Sequence, residues 1–448
     1  MSAADVIAAI ATAPGRAAVA IVRWGGPGAA AVAARCVAPW PVPPRVATRA
    51  TVRRGDGSVV DDGLVTWFPA PRSFTGDDTV EFCGHGGSVA PTQVLARVIA
   101  AGARLAEPGE FTRRAVLHGK LDLVQAEALG ALIDAPTRAV YHAARVQVSG
   151  ALSTRLAALR DAMLEVEALL AYDIDFPGED DGPIGRERVT AAVETALGSL
   201  QQLLSTLPAA RVAREGGLVV LAGAPNTGKS SLFNALLGEA RALVTDIAGT
   251  TRDAIDALVD AEPYPWRVVD TAGIRETDDT LERLGIEVSA QWLARADVVL
   301  LCGATVAERA VVAEAVRTRT EATLLAVRTK VDIVAASETR SVDKACAVSA
   351  VTGEGLDALR RAVTDALATR YPAPRETPLL LAARQTRAVD EAATELQAFR
   401  DAWTADALPA TVVAVHLRAA VHALETVIGA VDSDEVLGRV FAGFCVGK

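Results

Sequence analysis

Cysteine is scarce and scattered: Cys36, Cys83, Cys302, Cys346 and Cys445 are odd in number and never form a Cys-x-x-Cys pair. That excludes a disulfide framework and a zinc site of the usual spacing. The five histidines are equally dispersed, so metal chemistry has no dedicated cluster of such ligands in the sequence. No uncharged apolar stretch reaches the ~18 residues of a spanning helix, which argues against a membrane location. The first residues, Met1-Ser-Ala-Ala-Asp-Val-Ile-Ala-Ala-Ile10, lack a basic n-region, and the Arg-rich, acid-poor composition of a transit peptide is missing. The expectation is a cytosolic protein. Positive charge is in deficit as well, with 45 Lys and Arg against 55 Asp and Glu. A net charge of −10 opposes broad polyanion binding, so any RNA contact must be local or shared with a partner. Internal repeats and low-complexity tracts are absent.

What is present is ample apolar material, 51% of 448 residues, which predicts two to four domains rather than one core. The expected fold is multidomain, α/β plus all-α. Residues 1–120 mix short apolar runs such as Ala18-Val-Ala-Ile-Val22 with Gly and Pro punctuation, as in a small α/β domain. From Leu121 helical periodicity takes over. Leu152, Leu156, Leu159, Met163, Val166 and Leu170 step by three and four along one stripe, and Val189, Val193, Leu197, Leu200 and Leu204 repeat the spacing. An Asp-, Gly- and Pro-rich break from Asp173 to Pro183 separates the two helices.

Residues 215–372 then alternate strand-like runs (Leu218–Leu221, Trp266–Val269, Val298–Leu301, Thr323–Val327) with helical segments, the signature of a doubly wound, mostly parallel sheet. Tyr371 to Pro378 reads as a linker and the remainder is helical again. The simplest packing joins 373–448 to 121–214, making the nucleotide block an insertion in a discontinuous helical domain.

That block carries five ordered elements. Gly223-Ala-Pro-Asn-Thr-Gly228-Lys229-Ser230 has the P-loop form: glycines let backbone N–H groups wrap phosphate, Lys229 neutralises the outer phosphates and Ser230 ligates Mg²⁺. Asn226, Thr227, Gly228 and Ser231 complete the phosphate-side set. Thr251, inside Thr245-Asp246-Ile247-Ala248-Gly249-Thr250-Thr251, lies where a switch threonine closes on Mg²⁺. Asp270 of Asp270-Thr271-Ala272-Gly273 can hold the Mg²⁺ water shell, with the Gly273 amide on the γ-phosphate. Asp332 of Thr329-Lys330-Val-Asp332 can accept from guanine N1–H and N2–H₂ while Lys330 packs over the base. Ser349-Ala350 precedes a Gly-Glu-Gly turn that can offer an amide to guanine O6. The expected fold of this block is therefore a Ras-like P-loop G domain. Two positions depart from common GTPase practice. Thr329 stands where Asn is usual, replacing an amide contact by a hydroxyl. Ile274 stands where Ras-like enzymes orient water with Gln, so the water must be oriented by another group, with Arg275, Glu276, Asp278, Asp279 and Glu282 nearby.

Further stretches carry a family likeness: Ile7-Ala-Ala-Ile-Ala-Thr12, Phe74-Thr-Gly-Asp-Asp78, His85-Gly-Gly, Ala101 to Ala115, Gly119-Lys-Leu-Asp-Leu123, Gln125-Ala-Glu127, Ile174-Asp-Phe-Pro177, Glu282-Arg-Leu-Gly-Ile286 and Phe444-Cys-Val-Gly-Lys448. Over essentially its whole length the chain resembles the MnmE (TrmE) family of tRNA modification GTPases. The resemblance implies K⁺ in the charge-stabilising place of an arginine finger, held by Asn226 and by oxygens around Thr245, Ile247 and Thr250 when two G domains meet. It implies that Glu282 orients the hydrolytic water. It also implies an N-terminal domain that dimerises and binds a tetrahydrofolate donor (5-formyl or 5,10-methylene) through Arg23, Glu81 and Lys120, with Lys448 reaching in and Cys445 as a thiol participant or a small buried hydrophobe. The implied partners are a second copy, tRNA and the flavoprotein MnmG, which alone would carry FAD. The implied product is an aminomethyl-type group at C5 of the wobble uridine. His118 and Cys83-Gly84 depart from the family pattern near the folate residues. A ribosome-assembly GTPase of the Era or Der sort is the rival, but its KH-like domain or second G domain is not visible in the sequence.

Overall fold

The structure, a computed structural model, describes residues 5–175, 186–238, 256–269, 290–333, 344–372, 377–405, 409–429 and 440–441, with Phe444 and Gly447. Contacts divide the chain into two compact units, one of residues 1–130, 147–161 and 421–448, the other of residues 131–146 and 162–420.

The first unit is built on a seven-stranded sheet of order β3-β4-β5-β6-β2-β1-β7. Its strands are β1 (Ile7–Ile10), β2 (Val19–Gly25), β3 (Val37–Ala38), β4 (Thr48–Arg53), β5 (Val59–Phe68), β6 (Thr79–His85) and β7 (Arg104–Leu105). All pairs are antiparallel except β1 with β7. Alternation along the strands sends Val22, Trp24, Val80 and Phe82 into a core with α1 (Ala29–Ala34) and α2 (Ala90–Ala100). The opposite pleat of β1, Ile7 and Ala9, meets Phe111 of α3 (Glu110–Leu117). Arg23 and Glu81 sit directly across from each other in the β2–β6 register. Helix α4 (Leu123–Ile133) follows; α5 (Arg138–Val148) falls mostly in the second unit, and α6 (Ala151–Asp175) begins in the first and ends in the second, so the helix carrying the Leu152 stripe runs to Asp175, past the Asp173 expected to break it.

In the second unit, α7 (Arg186–Leu204) and α8 (Leu207–Glu215) lead into a six-stranded sheet of order β13-β12-β11-β8-β10-β9. Its elements are β8 (Gly217–Ala222), α9 (Lys229–Gly238), β9 (Asp256–Val259), β10 (Trp266–Val269), α10 (Ala290–Arg295), β11 (Val298–Gly303), α11 (Val306–Arg317), β12 (Thr323–Arg328), β13 (Cys346–Ala347) and α12 (Leu356–Arg370). Only β9 runs antiparallel to its neighbour. β8 is buried on both faces because helices cover both: Leu218 and Val220 pack with α10 and α11, Val219 and Leu221 with α9 and α12. This is the doubly wound sheet that the four apolar runs predict.

Beyond it α13 (Ala383–Ala405) lies along α7, with Val389, Leu396 and Phe399 buried. The following α14 (Ala410–Ile428) is, among the described residues, the one helix long and apolar enough to cross a membrane. It nevertheless carries Arg418, bonded to Glu167 at 2.5 Å, and packs Leu417, Leu424 and Val427 out of solvent.

Candidate functional site

The turn between β8 and α9 is shaped for close approach. Gly223 has no room for a side chain, since a Cβ would stand 2.5 Å from the Cys302 carbonyl oxygen. Gly228 takes a φ of 91° and Asn226 a φ of 62°, the left-handed conformations that curl the loop over the start of α9. Lys229 is 4% exposed, and its Nζ donates to the Gly223 carbonyl at 3.1 Å and the Ala224 carbonyl at 2.8 Å. The ammonium thus folds back along its own loop, where an incoming polyphosphate can take over its hydrogens. Ser230 and Ser231 are exposed on the first turn of α9. Under the loop, burial pushes the Cys302 thiol up to about 12 against the pull of Lys229, so this cysteine is inert.

The loop after β12 is pinned to this turn at two consecutive carbonyls. Thr329 Oγ1 donates to the Thr227 carbonyl at 2.6 Å, and Lys330 Nζ donates to that of Asn226 at 2.6 Å. Ser349 is fully buried and its Oγ accepts the N–H groups of Val351 and Thr352, which rounds the next loop toward the same side. One pocket results, lined by Gly228, Ser231, Thr329, Lys330, Asp332 and Ala350 with the apolar Leu232, Ile333, Val348 and Val351. It brings together six of the residues singled out in the sequence and leaves Asp332 exposed at its rim. Thr329 behaves differently from the expectation of a hydroxyl offered to the base: it is 3% exposed and its hydrogen is spent on the main chain. Thr245, Asp246, Ile247, Ala248, Gly249, Thr250, Thr251, Asp270, Thr271, Ala272, Gly273 and Glu282 lie outside the described residues.

In the first unit Arg23 Nε donates to Glu81 Oε1 at 2.7 Å, and Nη2 lies in ion-pair contact with the same oxygen at 2.7 Å. Its guanidinium carbon stands 5.7 Å from the Phe111 ring centroid, and Nη1 donates to the Gly447 carbonyl at 3.4 Å. Gly447 fits there because a Cβ would lie 2.6 Å from the Ile10 carbonyl oxygen. Lys120 is exposed at the end of the α3 turn and its stem, with His118, borders Gly76. Lys448 and Cys445 are outside the described residues.

Two polar groupings were not legible beforehand. Asp61, Asp62 and His85 bring ligand-type atoms within 4.8 Å, a cluster that dispersed histidines did not announce. It is held together internally: His85 Nδ1 meets Asp61 Oδ1 at 2.6 Å, and the hydrogen bond and charge of Asp61 raise the His85 pKa above 6.5. Asp297, 2% exposed, accepts the Leu218 N–H at 2.7 Å on Oδ2, and Arg211 Nη2 at 2.9 Å and the Tyr371 hydroxyl at 2.5 Å on Oδ1. Both arise from pairings of segments far apart in sequence, which spacing does not reveal.

The family model described as "GTP-binding protein TrmE N-terminus" matches residues 6–120, and "MnmE helical domain" matches 123–445. The tRNA modification GTPase MnmE of Azoarcus sp. (strain BH72) is 42% identical over 452 residues, covering 99% of this chain and 98% of that protein. This chain belongs to the MnmE family. The tRNA modification GTPase MnmE of Laribacter hongkongensis (strain HLHK9) is 40% identical, with 99% of each covered. Among solved structures, the cytosolic domain of the T. maritima FeoB iron transporter in a GDP form is 18% identical and covers 47% of this chain and 96% of its own. Its TM-score of 0.25 bears no weight. MnmE likeness thus extends from the first sheet through the P-loop to the C-terminal helices.

Proposed function

We propose that this tRNA modification GTPase works as a cytosolic homodimer with the flavoprotein MnmG to build an aminomethyl-type group on C5 of the wobble uridine, drawing the carbon from a tetrahydrofolate derivative. The observation that carries the nucleotide part is the pocket beside which the P-loop and the Thr329–Asp332 loop share hydrogen bonds. Lys229 exchanges its loop carbonyls for the outer phosphates, α9 presents its N-terminal amides, and Asp332 reads the Watson–Crick edge of guanine. Ser230 and Thr251, with Asp270 on its water shell, would hold Mg²⁺, which would offset the charge of the phosphates. Asn226 stands exposed on the loop with its backbone fixed by Lys330, suited to offer its side-chain oxygen to K⁺ together with Thr245, Ile247 and Thr250 of the same reading. Glu282 is assigned the water. In the first unit Arg23, Glu81, Lys120 and Lys448 are assigned to the folate. Both Arg23 contacts fall on one Glu81 oxygen, which fits a carboxylate that also accepts from a pterin N–H edge. Any flavin chemistry belongs to the partner.

The test is GTP turnover by the full chain in K⁺ and in Na⁺ buffers, with oligomeric state followed by light scattering. Turnover at least about tenfold faster in K⁺, the scale of a transition-state charge contact, and a dimer in solution are expected. Equal rates in both salts by a monomer refute the cation-dependent dimer.

A further inference from the structure

Resting on the guanine-nucleotide reading of this pocket, we propose that the base site is blind to N7 of guanine, and that Thr329 is the residue that makes it so. Guanine presents N7 and O6 as acceptors on one edge and N1–H with N2–H₂ on another. We place the Watson–Crick edge on Asp332 and the sugar toward Gly228 and Ser231, a pose that turns N7 to Thr329, which lines the same pocket. A pure acceptor such as N7 needs a hydrogen from the protein. The Thr329 hydroxyl has one, and it is committed to the Thr227 carbonyl at 2.6 Å in a site 3% open to solvent. Its remaining lone pairs repel N7.

The other polar side chains on that side are turned to main-chain partners. Lys330 runs past Gly228 and ends on the Asn226 carbonyl. The Ser349 hydroxyl is folded into its own loop beneath the N–H groups of Val351 and Thr352. An asparagine at 329 would differ in kind, since its amide has two hydrogens and can serve the Thr227 carbonyl and N7 together. Threonine keeps the tether that aligns the base loop with the P-loop and gives up the second bond. Thr329 is therefore both a positioning residue, through the P-loop, and a specificity determinant by omission.

The consequence is measurable with 7-deaza-GTP, which replaces N7 by a carbon that accepts nothing. Full-length protein is equilibrated with a fluorescent GDP analogue, which GTP, 7-deaza-GTP and ATP displace in parallel. GTP and 7-deaza-GTP are expected to compete within about threefold of each other, less than one ordinary hydrogen bond supplies. In Thr329→Asn, GTP should gain on 7-deaza-GTP by more than that. In Thr329→Val, which keeps the shape but loses the tether, both nucleotides should weaken together with their ratio unchanged. A wild-type preference for GTP above about threefold, or a ratio that shifts in Thr329→Val, overturns the proposal, and neither result depends on whether the Asn variant folds. Equal competition by ATP, or no displacement by GTP, instead overturns the guanine reading on which it rests.

Discussion

Glu110 shows how far a single side chain's neighbours decide its chemistry. It is 4% exposed, and burial alone would raise its pKa, yet bonds from Arg104, the Glu107 N–H and Arg114 hold the carboxyl below its ordinary 4.5. Arg104 and Arg114 also hold Asp5, so one network ties β1, β7 and α3 together and fixes Phe111 beside Arg23. A carboxylate with a depressed folded pKa stabilises above its unfolded value and loses that contribution as pH falls through the folded one. Glu110→Gln should therefore cost about 1–3 kcal/mol at neutral pH and flatten the loss of stability below pH 4.5, read by urea unfolding across pH. An unchanged acid limb would dismiss the network as its cause. Residues of this kind were only half legible. Lys229 and Asp332 declare themselves by motif, and Thr329 declares itself as a departure. Its partner, the Thr227 carbonyl, appears only when β12 is laid beside the P-loop turn.

At the level of elements, apolar runs marked β8, β10, β11 and β12; β8 and β11 are covered on both faces and so are hydrophobic throughout, while β10 and β12 keep an apolar run with some positions only half-buried. The first sheet was harder to read: its seven strands are mostly antiparallel, short and interrupted by loops, and alternation over two to ten residues gives little signal. What fastens elements to each other was hidden. Asp297 receives the start of β8 through Leu218, α8 through Arg211 and the end of α12 through Tyr371, so entry to and exit from the nucleotide block share one buried carboxylate. Removing it leaves the buried Leu218 N–H and the partly exposed Arg211 guanidinium without this acceptor. Asp297→Ala should cost about 1–3 kcal/mol in equilibrium unfolding, the penalty of an orphaned buried N–H, whereas Asp357→Ala, at an exposed pair, should cost under about 1 kcal/mol. Equal effects would mean that Asp297 is not a junction.

On the scale of the molecule, the first unit recruits residues from both ends of the chain. Phe441 is 3% exposed against Leu123 and Ala126, and stacks edge-on with Phe444 at 5.3 Å. Both rings press on Gly109, and Phe444 on Gly130, where a side chain would collide. No periodicity signals this return; only the family likeness of Phe444 to Lys448 hinted at it. Truncating Phe441 to Ala should cost about 3–5 kcal/mol in the unfolding of the first unit, followed through the near-ultraviolet signal of Trp24, with GTP binding by the P-loop unchanged. Simultaneous loss of nucleotide affinity would show that the ring serves more than that unit.

The Gly447 carbonyl on Arg23 and the aromatic pair on Gly109 also set an order of events during synthesis. Strands of the first sheet emerge early and can pair as they appear. The rings that shield Leu123 and the carbonyl that crowns Arg23 are translated only after the whole P-loop block has been made. Until then a nascent chain leaves Arg23 without the Gly447 carbonyl and Leu123 without its aromatic cover, so chaperones have a long interval in which to tell unfinished polypeptides from finished ones.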